Sequence, residues 1–211
     1  MLQVFGINNE SLMSFLIPIN KLIKIIRRLQ RIPISLWFYD IGYSCSISRK
    51  YIVLPHKKNI TIGSGCSIME GFRIETVETY AGVKYHPLIR IGNNVAINQN
   101  FHCTCAESII IESGVSITAN CGIFDIVHPY EDLNKNPRCA KISTDPIIIG
   151  EDSLIGMNSV IMPGVHLGKH TIVGANSTVM KGCYPDNIVL AGSPAKIIKK
   201  YDTKAGQWVH N

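Results

Sequence analysis

The chain has 211 residues, 46% of them hydrophobic and only 17% charged, with a formal net charge of +6. So few charges on so apolar a chain exclude intrinsic disorder, and the absence of any Lys/Arg run of five or more leaves no electrostatic footprint for nucleic acid. About one residue in six is isoleucine, a β-branched composition that favours strands.

Residues 1–40 stand apart from the rest of the chain. Between Pro18 and Pro33 the spacing predicts an amphipathic helix over residues 18–32. Leu22, Ile25, Ile26, Leu29 and Ile32 share one face, while Lys21, Lys24, Arg27, Arg28 and Arg31 occupy the other. Two roles fit: a cap that buries its aliphatic face on the first coil of the adjoining domain, or a segment lying peripherally on an anionic membrane. No run of 18 apolar residues and no signal-peptide pattern is seen, so a cytoplasmic location is expected, peripheral at the inner face of the membrane under the second role.

From residue 41 to about 185 an aliphatic residue recurs every six positions, in groups of three. The groups are Ile41, Ile47, Val53; Ile62, Ile68, Ile74; Ile91, Ile97, Cys103; Ile111, Ile117, Ile123; Ile149, Ile155, Ile161; and Leu167, Val173, Val179. If each hexapeptide is a short strand plus a tight turn, three close a triangular coil, and coils stack at the roughly 4.8 Å spacing of neighbouring strands. The pattern predicts an all-β parallel β-helix of about six triangular coils. Gly63, Gly92, Gly150, Gly156, Gly168 and Gly174 are placed at its corners with positive φ, together with Asn93, Asn94, Asn158 and Asn176. The seven cysteines are an odd number set mostly within the apolar pattern, which argues against a disulfide framework, and they form no CxxC pair, which argues against a structural zinc site. Cys45, Cys66, Cys103, Cys121 and Cys183 fall within the apolar pattern and read as small buried hydrophobes.

Insertions fall between triplets and never inside one, so all loops leave the prism along one edge. The long ones are residues 75–90 and 124–148, two coils or roughly 10 Å apart, close enough for side chains of both to reach one ligand. His128 stands where the chain enters the longer insertion, and an imidazole there suits general-base work at neutral pH. Asp125, three residues earlier, either orients that imidazole or serves as a turn residue. Residues 186–211 form a tail in which Pro194 opens a short basic helix that caps the last coil.

The segments "IGNNVAINQN" (91–100), "SITANCGIFDIVHPY" (116–130), "IIIGEDSLIGMNSVIMPGVHLGKHTIVGANSTVMKG" (147–182) and "VLAGSPAKIIKK" (189–200) resemble the hexapeptide-repeat acyltransferases, above all galactoside and maltose O-acetyltransferases and polysaccharide O-acetyltransferases. The resemblance implies a left-handed β-helix, a homotrimer, acetyl-CoA as co-substrate without a metal, and a sugar or glycan acceptor. It implies His128 as catalytic base and Asn98 in acceptor binding, the other reading of Asn98 being a corner residue that bonds its own turn. His86, in the shorter long loop, is a further candidate for acceptor contact. Met157, Ala175, Met180 and Lys181 are implied to line the pantetheine arm, and Lys196 and Lys199 to face the nucleotide phosphates. The function implied is O-acetyl transfer to a sugar or surface-polysaccharide intermediate. Amino-sugar N-acetylation, a zinc-dependent carbonic anhydrase and a non-enzymatic scaffold are the alternatives.

Overall fold

The computed structural model describes residues 38, 40–48, 52–53 and 57–210. The helix expected over residues 18–32, and with it the choice between cap and membrane segment, lies outside the described residues.

Three parallel sheets form the sides of a prism, with six complete coils and two sides of a seventh. The rungs stack in the register of the sequence triplets. On the first side Ile41, Ile62, Ile91, Ile111, Ile149 and Leu167 are successive partners. On the second they are Ile47, Ile68, Ile97, Ile117, Ile155 and Val173. On the third they are Val53, Ile74, Cys103, Ile123, Ile161 and Val179. From Ile62 to Val179 every rung is at most 3% exposed, so each contributes roughly 1.5–3 kcal/mol of burial. The seventh coil escapes the aliphatic pattern because Tyr184 stands in register above Leu167; Leu190 continues the second side above Val173.

The corners work differently from the sequence expectation. Positive φ falls three residues after the inward rung, hence two after the expected glycines where one is present, at Gly65, Asn94, Gly114, Asp152 and His170 on one corner, and at Gly71, Asn100, Asn120, Asn158 and Asn176 on the next. Asn94, Asn158 and Asn176 are therefore as expected, but Asn93 is not; its side-chain oxygen instead accepts from the Ser64 amide. The glycines that come after the inward rung are required by close stacking. A Cβ on Gly63 would lie 2.5 Å from the Gly92 carbonyl oxygen, and one on Gly156 would lie 2.6 Å from the Ala175 nitrogen. Along the second corner Asn100, Asn120, Asn158 and Asn176 form a ladder, each amide donating to the next at 3.0 Å.

Small polar residues close the corners from inside. Ser159 and Thr171 donate to the Gly174 and Gly168 carbonyls at 2.9 Å, and Cys45, Cys66 and Cys121 do the same through sulfur. Cys183 is not buried: it pairs in register with His166, an outward position, while Tyr184 takes the inward phase. The buried fifth thiol is Cys105.

The tail is strand, not helix. Ala195–Asp202 runs antiparallel to Ile188–Gly192, and Gln207–His210 runs antiparallel to it in turn. A helix would leave the last strand's amides and carbonyls unpaired; the β-branched Ile197 and Ile198 suit a hairpin that covers this edge.

Burial pushes the thiols of Cys66, Cys103, Cys105 and Cys121 up and leaves only Cys139 and Cys183 exposed. A chromogenic disulfide reagent at neutral pH is expected to titrate two thiols in the native protein and all seven of the chain after unfolding.

Candidate active site

Both long loops leave the end of the third side. The first carries a hairpin, Thr79–Tyr80 against Val83–Lys84, turning at Ala81 and Gly82, both with positive φ. In the second, Ile126–Val127 pairs antiparallel with Ser143–Thr144, and the Asp145 amide donates to the Asp125 carbonyl at 2.9 Å, closing the loop's root. The loops hold each other: the Tyr80 hydroxyl donates to the Arg138 carbonyl, and the Tyr85 hydroxyl donates to that of Ile142 at 3.0 Å.

Between them lies a cavity of about 590 Å³, within the usual size of a small-molecule site. His128 lines it. Its ring meets Tyr80 edge-on at 5.4 Å, so a residue of the first loop steadies an imidazole of the second. It is lined as well by His102 and Thr104, from strand His102–Cys105, and by Glu75, Thr76 and Glu78, from the end of Arg73–Thr76 and the loop beyond.

Asp125 takes the turn role. It is fully buried, and its two oxygens accept from the amides of Ala106, Glu107 and Ser108 at 2.8–2.9 Å and from the Cys105 thiol at 3.2 Å. The carboxylate is thus committed to the corner that starts the fourth coil and not to the imidazole of His128. Burial raises its pKa, against the pull of the three amides.

The remaining candidates scatter. Asn98 is half-buried at the opposite corner of the third side and does not line the cavity. His86 is exposed in a separate cavity of about 380 Å³, with Asn59, Glu78 and Lys84. Met157 and Ala175 lie exposed at the second corner, whereas Met180 and Lys181 lie at the third, where Lys181 pairs with Asp145. Lys196 and Lys199 sit opposite Ala191 and Val189, and a bulge between them puts both on the outward side of the second sheet.

His102 had no place among the candidates, although parity marks it: it precedes the inward Cys103 and so points outward on the side the loops leave. Its ring meets Phe124 edge-on at 5.0 Å, and Nε2 lies 3.2 Å from the Thr104 hydroxyl. Burial, and secondarily the charge of Arg73, lower its pKa, so it stays neutral at neutral pH.

Asp125→Asn sets an amide nitrogen against at least one backbone donor and is expected to lower unfolding free energy in urea by roughly 2–4 kcal/mol. Because the folded pKa of His102 lies below its ordinary value of 6.5, the unfolded chain takes up the proton first. Stability therefore falls as pH drops through that value, and His102→Gln should flatten that limb of the stability–pH curve.

The profile described as Bacterial transferase hexapeptide (six repeats) matches residues 146–181. WbbJ of Escherichia coli (strain K12), named for O-acetyl transfer in lipopolysaccharide biosynthesis, is 30% identical over 172 residues, 78% of this chain and 84% of that protein. Protein CapG of Staphylococcus aureus is 36% identical over 152 residues, 70% of this chain and 72% of its own. Among solved structures, a variant of AntD, an N-acyltransferase from Bacillus cereus in complex with dTDP and coenzyme A, superposes with a TM-score of 0.69 at 20% identity. The match covers 83% of this chain and 91% of that one. Stacked hexapeptide coils, an edge from which every loop departs and relatives matched along most of their length agree: this chain belongs to the hexapeptide-repeat acyltransferases.

Proposed function

We propose that the protein is an acetyl-CoA-dependent O-acetyltransferase acting on a sugar or surface-polysaccharide intermediate, with His128 as general base. The observation that carries this reading is the position of His128 on the wall of a cavity built jointly by the two long loops. The name carried by WbbJ supports the acceptor class and the oxygen ester.

The bound thioester supplies the acetyl group. A sugar hydroxyl is a poor nucleophile until its proton is being removed, and His128 takes that proton as the oxygen attacks the carbonyl carbon. The C–O bond forms, the C–S bond breaks, and the imidazolium returns the proton to the departing sulfur. Tyr80 limits the ring's orientations, and Asp125 acts only by holding the corner beneath the loop.

For the anionic cofactor, Lys196 and Lys199 fit the phosphates because both face outward, Lys196 opposite the Ala191 that packs on Gly174 and Lys199 opposite Val189, and the small residues there admit a backbone-lined arm. Met180 and Lys181 follow Thr178–Val179 at the far end of the third side, at the next corner from Met157 and Ala175. A closed homotrimer, in which one protomer's second corner meets a neighbour's third, unites the two sets.

His128→Ala is expected to lower kcat/KM by at least about 10² with an unchanged unfolding temperature, measured by mass spectrometry of acceptor panels incubated with acetyl-CoA. Products should be base-labile esters. Unchanged turnover overturns the role of His128, and base-stable amides overturn oxygen transfer in favour of an amino-sugar acceptor.

A further inference from the structure

We propose that the strand Gln207–His210 carries a nucleobase platform: Trp208, braced by His170 and Tyr201, stacks the adenine of a nucleotide whose phosphates meet Lys196 and Lys199. This deepens, and rests on, the reading of those lysines as the cofactor's phosphate partners.

The strand itself is the first sign. All four of its residues are exposed, so it adds nothing to the aliphatic interior. Covering the open edge of Ile188–Gly192 takes one antiparallel strand, and Ala195–Asp202 already supplies it. A further strand only moves the open edge outward, and a tryptophan on it has no packing duty in the core.

Register decides which side chains gather there. Lys199 pairs with His210 and Tyr201 with Trp208, and alternate residues share a face, so these four stand together on the outward side of the second sheet. The indole meets the Tyr201 ring edge-on at 5.5 Å. It lies nearly parallel to the His170 ring, with 22° between planes and 6.3 Å between centroids, yet remains 37% exposed. Two neighbours fix its plane and leave surface for a third ring.

His170 is the second sign. It occupies the left-handed position of its corner, where other coils have Ser44, Gly65, Asn94, Gly114, Asp152 and Asn187. Those short residues suit the turn, which has no need of an imidazole. Among the described residues of that corner only His170 sets a ring there, and it is the ring parallel to Trp208.

Charge completes the class of ligand. Lys196 and Lys199 present ammonium groups on this face, while the tail's two carboxylates are committed to backbone donors. Asp202 accepts from the amides of Lys204 and Ala205 at 2.8 and 3.1 Å, and Asp186 from the Lys169 amide at 2.8 Å. Next to His170, Glu151 is paired with the Lys169 ammonium at 2.6 Å. A neutral sugar has no use for the cations; a phosphorylated base uses both the aromatic plane and the ammonium groups.

Binding is read in the full-length protein by calorimetry and by fluorescence, with Trp37→Phe leaving Trp208 as the single indole. Coenzyme A and adenosine 3′,5′-bisphosphate should quench it saturably, and phosphopantetheine, which lacks the base, should not. Trp208→Ala should weaken coenzyme A binding about 5–150-fold, with Trp208→Phe recovering most of it. In turnover, kcat/KM for acetyl-CoA relative to S-acetyl phosphopantetheine should fall by the same factor, through KM. His170→Asn keeps a residue suited to the turn, as at Asn94 and Asn187, and should lower coenzyme A affinity without lowering the unfolding temperature. A tryptophan that only held the hairpin together would shift the unfolding temperature and leave that kcat/KM ratio alone. Equal binding of coenzyme A by the wild-type and Trp208→Ala proteins overturns the platform and leaves the phosphate reading standing; no binding to the wild type overturns both. Quenching by a uridine diphosphate sugar and not by adenosine 3′,5′-bisphosphate overturns the assignment to the cofactor.

Discussion

Everything in this protein depends on the parallel stacking of inward rungs at a fixed period of six. Because side chains alternate across a strand, a single extra residue within a coil would turn every later rung outward, and no hydrophobic term could then hold the prism closed. Insertions are tolerated only where one coil passes to the next. That constraint gathers Thr79–Tyr80 and the root of the 124–148 loop at one edge, so the loops meet each other and enclose a cavity that neither makes alone. The site is a consequence of the register.

The register was therefore the most legible part of the molecule. All eighteen rungs named from the sequence are partners in the sheets, because period and inward burial are the same fact seen twice. Corner chemistry was less legible. A glycine after an aliphatic residue suggests a left-handed turn, but the coil above presses on its Cα and forbids any side chain, and the left-handed residue comes two places later. Sequence spacing records that a glycine is needed and not which of the two reasons applies. The tail misled for a related reason: a proline before a basic apolar run resembles a helix start, whereas the deciding influence was the open strand edge at Ile188–Gly192, a tertiary feature.

The site was legible only in part. His128 is marked by where the chain departs from the repeat, which is a one-dimensional signal. Asp125 carries the same mark and a different duty, since its partners at residues 105–108 belong to the coil below, and stacking alone brings them within reach. Asn98 stands at the other corner of the third side, and His86 lines a second cavity that shares Glu78 and Thr79 with the one His128 lines. His102 lies on a regular strand, where parity shows which way a residue faces but gives no hint that two loops will roof it.

The two charged regions of the prism are of opposite sign and separately placed. Carboxylates line the loop cavity at the end of the third side, while Lys196 and Lys199 stand on the outward second side, brought into phase by one bulge. A regular strand would have set residues three apart on opposite faces, so the bulge is what makes the pair a pair. Their separation asks nothing of side-chain movement: it arises from where the repeat lets the chain depart and where it ends.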